Sequence, residues 1–271
     1  MKFFWIKPVA ALAPYIERMW GWESIDDEVI DLPILLPGTG SEVFFHYRTP
    51  FRHEVAGKVE ALGSAHMVCV RRKPVRLLSS KDIGFVAVRF RAGSLHRFTR
   101  VPGANLLDQT LTATELWGEE GTRVALDATL RQSRREIAEL LQRFLMSRLE
   151  EGRSDQLVER AVSTIYQRCA VVSVDHLALS LDVTRRQLER RFSALTAQTP
   201  IEVRRLSRMQ KVMRKLLLEK SENVLDAVLA HGYYDQAHFI HDFAKTGLGP
   251  PQRFLNEIRS RPHFYNPSWS G

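Results

Sequence analysis

One order of elements occurs twice in the second half of the chain. A short helical stretch, a brief turn, a polar capping residue and a second helix follow one another at Val174–Phe192 (the first unit), and the order returns at Val224–Phe243 (the second unit). In the first unit, Thr184 and Gln187 form the capping-box pattern that opens a helix. Helical spacing continues over Pro200–Glu219, between the units. This half is therefore predicted to be all-α, with two helix-turn-helix units joined by one long helix.

The length of the connecting helix suits one kind of partner. About 20 residues, at roughly 1.5 Å per residue, span roughly 30 Å. That length is close to the ~34 Å between successive major-groove faces of B-DNA. One chain can therefore place the second helix of each unit in adjacent grooves on one face of a duplex.

Charge supports the same partner. The chain of 271 residues has 39 Lys and Arg against 31 Asp and Glu, a formal net charge of +8. Ten basic residues, nearly all arginine, lie between Arg185 and Lys215, against two acidic ones. The planar guanidinium suits phosphate and guanine better than a point charge does. A solvated helical face is the alternative, but the repeated units favour double-stranded DNA.

The first 150 residues combine strand-like and helical segments. Glu42–Tyr47, Met67–Val70 and Ile83–Arg91 are predicted as strands between turn residues, which is typical of an antiparallel sandwich or barrel. Apolar residues at three- and four-residue spacing predict a helix at Arg134–Leu149. Its apolar stripe either contacts a second copy of the chain or packs on its own barrel. The predicted class is α+β with two domains, at residues 1–150 and 151–262, followed by an irregular tail at 263–271.

Composition excludes several classes of protein. A chain that is 44% hydrophobic and 26% charged has ordinary globular proportions, so disorder is excluded. Two cysteines, Cys69 and Cys169, lack CxxC spacing, which favours a reducing compartment. No apolar run approaches the ~18 residues of a membrane helix, and the N-terminus lacks a signal-peptide pattern. A cytoplasmic protein without a membrane partner is predicted.

Catalytic motifs are absent from the sequence. None of the patterns GxxxxGK[ST], HExxH, GxSxG or GxGxxG occurs. His46, His53 and Glu54 can be considered as an iron-binding triad, but scattered histidines on a barrel without metal are favoured. We therefore predict no enzyme activity, no catalytic or metal-binding residue and no cofactor.

Two segments resemble a known family. Val183–Phe192 (VTRRQLERRF) resembles the first recognition helix of AraC/XylS-type transcriptional regulators, and Gly232–Phe243 (GYYDQAHFIHDF) resembles their second, more diagnostic signature. The resemblance covers roughly Leu157–Asn256. The first 150 residues resemble the cupin-like N-terminal domain of one branch, on fragments such as Leu32–Ile34 and Val101–Ala104. Ala197, His241 and Gly249 depart from the family pattern, which usually has glycine, arginine and Ser or Thr there.

The resemblance implies a sequence-specific DNA-binding transcriptional regulator. Its N-terminal cupin-like domain, with flanking helices, would serve as a sensor or dimerisation domain. The implied partners are operator DNA, a small-molecule effector, RNA polymerase and a second copy of the chain. No effector-contacting residue is predicted. Two alternatives stay open: a metal-dependent cupin enzyme fused to a DNA-binding domain, and an interaction protein that has lost specific DNA recognition.

Helical spacing and the resemblance together predict the site. Leu188 and Phe192 lie on one face, four residues apart, and are predicted to be core. The family's base-contacting positions correspond to Arg186, Glu189 and Arg190. Arginines on the connecting helix are predicted to neutralise phosphates, as is Lys211, although Arg208 has a structural alternative. Arg191 is expected to meet phosphate or solvent. The residues predicted to contact DNA are Thr184, Arg185, Arg186, Glu189, Arg190, Arg204, Arg205, Gln236, Ala237, Ile240 and His241.

Overall fold

A computed structural model describes residues 2–25, 29–78, 80–131, 133–219 and 223–259. Within these ranges a strand-rich N-terminal part precedes a wholly helical C-terminal part, which confirms the predicted α+β class with two domains. The tail predicted at 263–271 lies outside the described residues. No helix within the described ranges has the length and apolar composition that crossing a membrane requires.

The N-terminal part contains two antiparallel sheets. The strands of the described residues are β1 (Lys2–Ile6), β2 (Ile16–Glu23), β3 (Ile34–Leu35), β4 (Glu42–His46), β5 (Arg52–Val55), β6 (Lys58–Ala61), β7 (Ala65–Val68), β8 (Val75–Leu77), β9 (Gly84–Phe90) and β10 (Thr110–Thr112). One sheet has six strands in the order β1-β2-β9-β4-β7-β10, and the other has four in the order β3-β8-β5-β6. The antiparallel sheet prediction is therefore confirmed.

The central strands are buried on both faces. In β4, Phe44 packs with Trp20 and Phe51 in a core shared with the four-stranded sheet. Its neighbours Val43 and Phe45 point the other way, into a core shared with helices. Successive strand residues face opposite sides of a sheet, so a strand without polar alternation separates two apolar cores.

Three helices cover the outer face of the six-stranded sheet. They are α1 (Ala113–Trp117), α2 (Glu119–Thr129) and α3 (Arg134–Arg148). The stripe of α3, with Ile137, Leu141 and Leu145 fully buried, lies in the same core as Val43 and Phe45. Of the two alternatives for this helix, the structure shows packing on its own domain, and these apolar residues do not face outward as a dimer contact.

The C-terminal part consists of helices throughout its described residues. They are α4 (Gln156–Gln167), α5 (Val174–Ser180), α6 (Arg185–Thr196), α7 (Pro200–Leu218), α8 (Val224–Ala230), α9 (Gln236–Ala244) and α10 (Pro251–Arg259). One apolar core joins α4, α5 and α6, with Val203 from α7. A second joins α7 to α8, α9 and α10. Two helix-turn-helix units connected by α7 are therefore confirmed.

The N-terminal part contacts both of these cores, the first of them through Ala92. Leu36, which follows β3, is buried in the core of α7–α10. Close by, Arg72 Nε donates to Glu202 Oε1 at 2.7 Å, and Gln210 Nε2 donates to the Pro37 carbonyl at 2.9 Å. The buried Leu36 and these two hydrogen bonds to α7 thus join the strand-rich part to the core of α7–α10.

Candidate nucleic-acid interface

The orientation of α6 is fixed at its start and along its inner face. Gln187 N donates to Thr184 Oγ1 at 3.2 Å, and Thr184 N donates to Gln187 Oε1 at 2.8 Å, which completes the predicted capping box. Leu188 and Phe192 are fully buried, as predicted. Because these core positions set the rotation of the helix, the opposite face is presented outward.

Two arginines on that outward face are unpaired within the part of the chain that the structure describes. Arg186 and Arg190 are exposed, one turn apart, near the start of α6. Within the described residues, neither side chain makes a hydrogen bond or an ion pair. Both guanidinium groups are therefore available for bidentate hydrogen bonds to guanine O6 and N7.

Two further predicted contacts at the start of α6, Arg185 and Glu189, are paired with each other. Arg185 Nε donates to Glu189 Oε1 at 2.9 Å, and Arg185 Nη1 lies 3.2 Å from Asp175 Oδ1 on α5. Asp175 thereby links the two helices of the first unit. To contact a base, Arg185 and Glu189 must exchange this pairing for hydrogen bonds to DNA.

Arg191 makes a bidentate ion pair inside the C-terminal part. Its Nη2 and Nε donate to the two carboxylate oxygens of Asp155 at 2.8 and 3.1 Å. The same carboxylate accepts from Val158 N at 3.1 Å and caps α4. Arg191 thus joins α6 to the start of α4. Because its side chain is still 44% exposed, the expected contact with phosphate or solvent stays a prediction.

Four basic residues of α7 also have partners inside the C-terminal part. Arg204 Nε donates to the Cys169 carbonyl at 3.1 Å, and burial lowers the pKa of Arg204. Arg208 Nη1 donates to the Gly232 carbonyl at 2.9 Å, and its guanidinium lies 4.6 Å from the centre of the Tyr233 ring. These bonds match the structural alternative for Arg208. They give Arg204 a structural contact in addition to its predicted phosphate contact.

Lys211 and Arg205 follow the same pattern. Lys211 Nζ donates to the Gln167 carbonyl at 3.1 Å. Arg205 Nη1 donates to Asp242 Oδ1 at 3.3 Å, and Tyr233 Oη donates to Asp242 Oδ2 at 3.0 Å. The Asp242 side chain is only 3% exposed, so its carboxylate depends on these partners.

Sequence reasoning missed the role of Asp242, although a signal was present. Asp242 lies between the core positions Phe239 and Phe243 of α9, on the inward face of the helix. A carboxylate on an apolar helical face predicts a buried polar contact, since an unpaired buried charge is costly. Burial beside this carboxylate also raises the pKa of Tyr233.

The second recognition helix has no arginine or lysine on its outward face. Asp235 caps α9 by accepting from His238 N at 2.7 Å. Gln236, Ala237, Ile240 and His241 are all exposed. These groups suit adenine and thymine methyl groups, in contrast to the arginines of α6.

Tyr234 was not predicted as part of this surface. It lies in the turn just before α9 and is 86% exposed. A large aromatic side chain at the start of a recognition helix extends the outward face towards the turn. The sequence signal was its place next to the capping residue Asp235.

The histidines considered for a metal lie between the sheets. His46 and His53 are buried, whereas Glu54, the residue after His53 in β5, is half-buried. Within the described residues, no three His, Cys, Asp or Glu side chains are arranged to hold a metal ion. Burial lowers the pKa of His46 and holds the pKa of its neighbour His66 at about 4.

Comparisons with protein families match both parts of the chain. A family model described as a helix-turn-helix domain matches residues 177–257. A second, described as a domain of unknown function (DUF6597), matches residues 5–112. No curated protein matches the chain.

Three solved structures illustrate what the chain is similar to. A transcriptional regulator with an AraC-type DNA-binding domain from Chromobacterium violaceum has 27% identity, over 42% of this chain and 100% of that one, at a TM-score of 0.37. The DNA-binding domain of the transcriptional factor AdpA, solved with a target DNA, has 22% identity, over 40% and 96%, at a TM-score of 0.36. ToxT from Vibrio cholerae has 12% identity, over 94% and 98%, at a TM-score of 0.48.

The matched family model includes both units. Residues 177–257 begin within α5 and end within α10, so the two recognition helices and the connecting helix all fall inside the match. The same region has the sequence signatures at α6 and α9 and the exposed arginines of α6. Residues 177–257 of the chain are therefore a helix-turn-helix domain, and the sequences of α6 and α9 within it resemble the signatures of AraC/XylS-type regulators.

Proposed function

We propose that the chain is a transcriptional regulator that binds one operator with α6 and α9 in successive major grooves. The observation that carries this proposal is the arrangement of the two recognition helices. Each has its inner face fixed by a core and its outer face exposed, and the 19 residues of α7 separate them. At roughly 1.5 Å per residue α7 spans roughly 28 Å, which approaches the ~34 Å of one turn of B-DNA.

The two units are proposed to recognise different sequences. Arg186 and Arg190 present bidentate donors, which favours guanines in the half-site of α6. Gln236 can pair with adenine, and Ala237 or Ile240 can contact thymine methyl groups, which favours A·T pairs in the half-site of α9. The operator would then be asymmetric, with a G-containing block and an A·T-rich block about 10 base pairs apart.

The N-terminal domain is proposed to make this binding responsive to a small molecule. An effector regulates only if its affinity differs between two states of the protein. The strand-rich part contacts the core of the second unit through Leu36, so a change in that part reaches the DNA-binding helices. We place the domains at residues 1–150 and 151–262, and include a second copy of the chain and RNA polymerase among the partners. We propose a regulator without enzyme activity.

A binding titration tests the proposal. The purified chain is titrated with DNA from upstream of its own gene, with sequences selected from a random library, and with random DNA, at two salt concentrations. We expect a site of ~20 base pairs preferred by ~10³-fold over random DNA. Equal, steeply salt-dependent binding to all three would contradict specific recognition and favour an interaction protein.

A substitution pair identifies the base contact. Arg190→Ala should weaken specific binding by ~10- to 100-fold, since a bidentate base contact contributes ~1–3 kcal/mol, and should leave binding to random DNA nearly unchanged. Arg100→Ala is the matched control, because this arginine of the N-terminal part has an 85% exposed side chain. Equal loss on specific and random DNA in Arg190→Ala would exclude the base contact.

A further inference from the structure

A cavity lies where the N-terminal part, the segment before α4 and α6 meet. Its volume is about 260 Å³. The N-terminal part contributes His96, Val101 and Leu106, the segment before α4 contributes Arg153, and α6 contributes Leu195. This place is outside the space between the two sheets, and it borders directly on the first recognition helix.

The N-terminal wall of the cavity is in direct contact with α6. Gly103 lies so close to this helix that a Cβ atom on it would be 2.3 Å from the Ala194 carbonyl oxygen. Since no side chain fits between them, the loop and the helix backbone touch. A displacement of the loop that contains Gly103 therefore either separates the loop from α6 or moves α6 with it.

Hydrogen bonds and ion pairs next to the cavity connect the elements around it. Glu150 N donates to the Arg97 carbonyl at 2.9 Å. The Arg97 guanidinium binds both oxygens of Glu159 on α4 at 2.9 Å. Asp155, another lining residue, holds Arg191 of α6. Contacts next to the cavity thus connect the N-terminal part to α4, and the start of α4 to α6.

The lining has an apolar body and one cationic group. Val101, Leu106 and Leu195 supply apolar surface. The Asp155 charge is compensated by Arg191 at 2.8 Å. Arg153 Nε lies 3.9 Å from Glu150 Oε2, and the Glu150 carboxylate is shared with Arg100 at 3.3 Å. Arg153 Nη1 donates to the Thr99 carbonyl at 2.8 Å, and Nη2 makes no hydrogen bond with any described residue. This combination suits an organic anion.

We propose that this cavity binds a small organic anion, whose apolar body lies against Leu106 and Leu195 and whose charged group pairs with Arg153. Occupancy sets the position of α6 relative to the N-terminal part and thereby changes DNA binding. The effect on DNA binding rests on the proposed regulator function, whereas the binding of the anion does not. A cavity of ~150 Å³ holds a benzene molecule, so the ligand has roughly ten non-hydrogen atoms.

The test uses cyclohexanecarboxylate and its uncharged analogue cyclohexanecarboxamide. Both are titrated into the full chain and followed by amide chemical shifts, without DNA. We expect saturable binding of the carboxylate with a Kd on the order of 1 mM. The shifts should concentrate at Val101, Arg153 and Leu195, and the carboxamide should bind about tenfold more weakly.

Three variants locate the site. Arg153→Gln should weaken carboxylate binding about tenfold or more, and Val101→Phe, which fills the cavity and keeps Arg153, should weaken it similarly. Arg100→Gln removes a neighbouring charge that does not line the cavity and should change the Kd less than twofold. Circular dichroism confirms that each variant is folded. Equal Kd values in wild type and Arg153→Gln, or no saturable binding, would overturn the site.

A second measurement tests the regulatory statement separately. The affinity for the selected operator is measured with and without the carboxylate, in wild type and in Arg153→Gln. We expect at least a threefold change in wild type and none in the variant, since coupling free energies typically produce changes of ~5- to 150-fold at saturation. Ligand binding without any change in operator affinity would overturn the regulatory role. Specific DNA binding without ligand binding would leave the proposed function intact.

Discussion

Arg205 on α7 donates a hydrogen bond to Asp242 on α9 across 3.3 Å. This pair joins the connecting helix directly to the second recognition helix. Tyr233, in the turn between α8 and α9, donates to the other oxygen of Asp242 at 3.0 Å. A buried carboxylate with partners on two further elements thus holds α9 in place relative to α7.

Removing Arg205 should lower the free energy of unfolding. Arg205→Ala leaves the Asp242 carboxylate buried with Tyr233 and Lys245 as its partners. Breaking a buried pair from one side costs ~3–5 kcal/mol. Because Lys245 stays and the Arg205 side chain is 24% exposed, we expect about 2 kcal/mol, measured by urea unfolding. Arg186→Ala, on the exposed face, is the control and should stay within about 0.5 kcal/mol of wild type.

That comparison also separates two roles for Arg205. Arg205→Ala with unchanged stability, but with weaker binding to all DNA, would show that the residue neutralises a phosphate and that the pair with Asp242 is dispensable. Loss of stability without loss of non-specific binding would support the structural role.

Gly232 should tolerate no side chain. Its φ is +80°, and a Cβ atom there would lie 2.4 Å from the Ala170 carbonyl oxygen. Gly232→Ala should therefore cost ~3 kcal/mol, from left-handed strain together with overpacking. Gly249→Ala is a matched control, since its φ is +77° and nothing lies within 4 Å. It should cost only ~1 kcal/mol. Equal unfolding temperatures of the two variants would show that the backbone at Ala170 shifts to accommodate the added Cβ atom.

Acid should destabilise the N-terminal domain through its buried histidines. His66 is 1% exposed, and burial holds its pKa at about 4 in the folded chain, against ~6.5 when unfolded. The unfolded chain binds the proton first as the pH falls, so stability is lost between about pH 6.5 and 4. From pH 7.5 to 5 the loss from His66 is about 2 kcal/mol.

The measurement compares urea unfolding of wild type and His66→Asn at both pH values. Asparagine keeps a donor for the Gly63 carbonyl, which lies 3.2 Å from His66 Nδ1, and does not titrate. The difference between the two pH values should shrink in the variant. An unchanged difference would assign the acid sensitivity to other groups.

The C-terminal helices were predictable because their signals are local. The capping box of Thr184 and Gln187, the polar cap at Asn223 and the prolines at the starts of α7 and α10 each lie within a few residues of the helix end that they set. Apolar spacing then decides the inner face. The structure also shows why the family usually has glycine at the position of Ala197. This residue is the C-cap of α6 and has a φ of +61°, where glycine would be unstrained.

The N-terminal strands were less predictable because their pattern is set by contacts far along the chain. The strand predicted at Met67–Val70 lies at Ala65–Val68, where its register is fixed by pairing with β4 and β10. Strand β2 was not predicted. In it, Trp20 and Trp22 are separated by a glycine and all three residues are buried. A strand buried on both faces lacks the polar alternation on which such a prediction depends.

The partners of the arginines could not be predicted from spacing either, with one exception. The pair of Arg185 and Glu189 has the i, i+4 spacing of a helical ion pair. Arg191 and Arg205 instead meet Asp155 and Asp242, which lie 36 and 37 residues away. Only the tertiary fold brings these carboxylates opposite the guanidinium groups. The sequence therefore does not distinguish an arginine that is free to contact DNA from one that is paired inside the protein.

The most direct test of the account changes the spacing of the operator. An operator selected with the full chain is lengthened by five base pairs between its two half-sites, which rotates one half-site by about half a turn relative to the other. Because α7 is one continuous helix that fixes both recognition helices, we expect affinity to fall to that of a single half-site, by tenfold or more. Unchanged affinity for the lengthened operator would contradict the claim that α6 and α9 bind successive major grooves together.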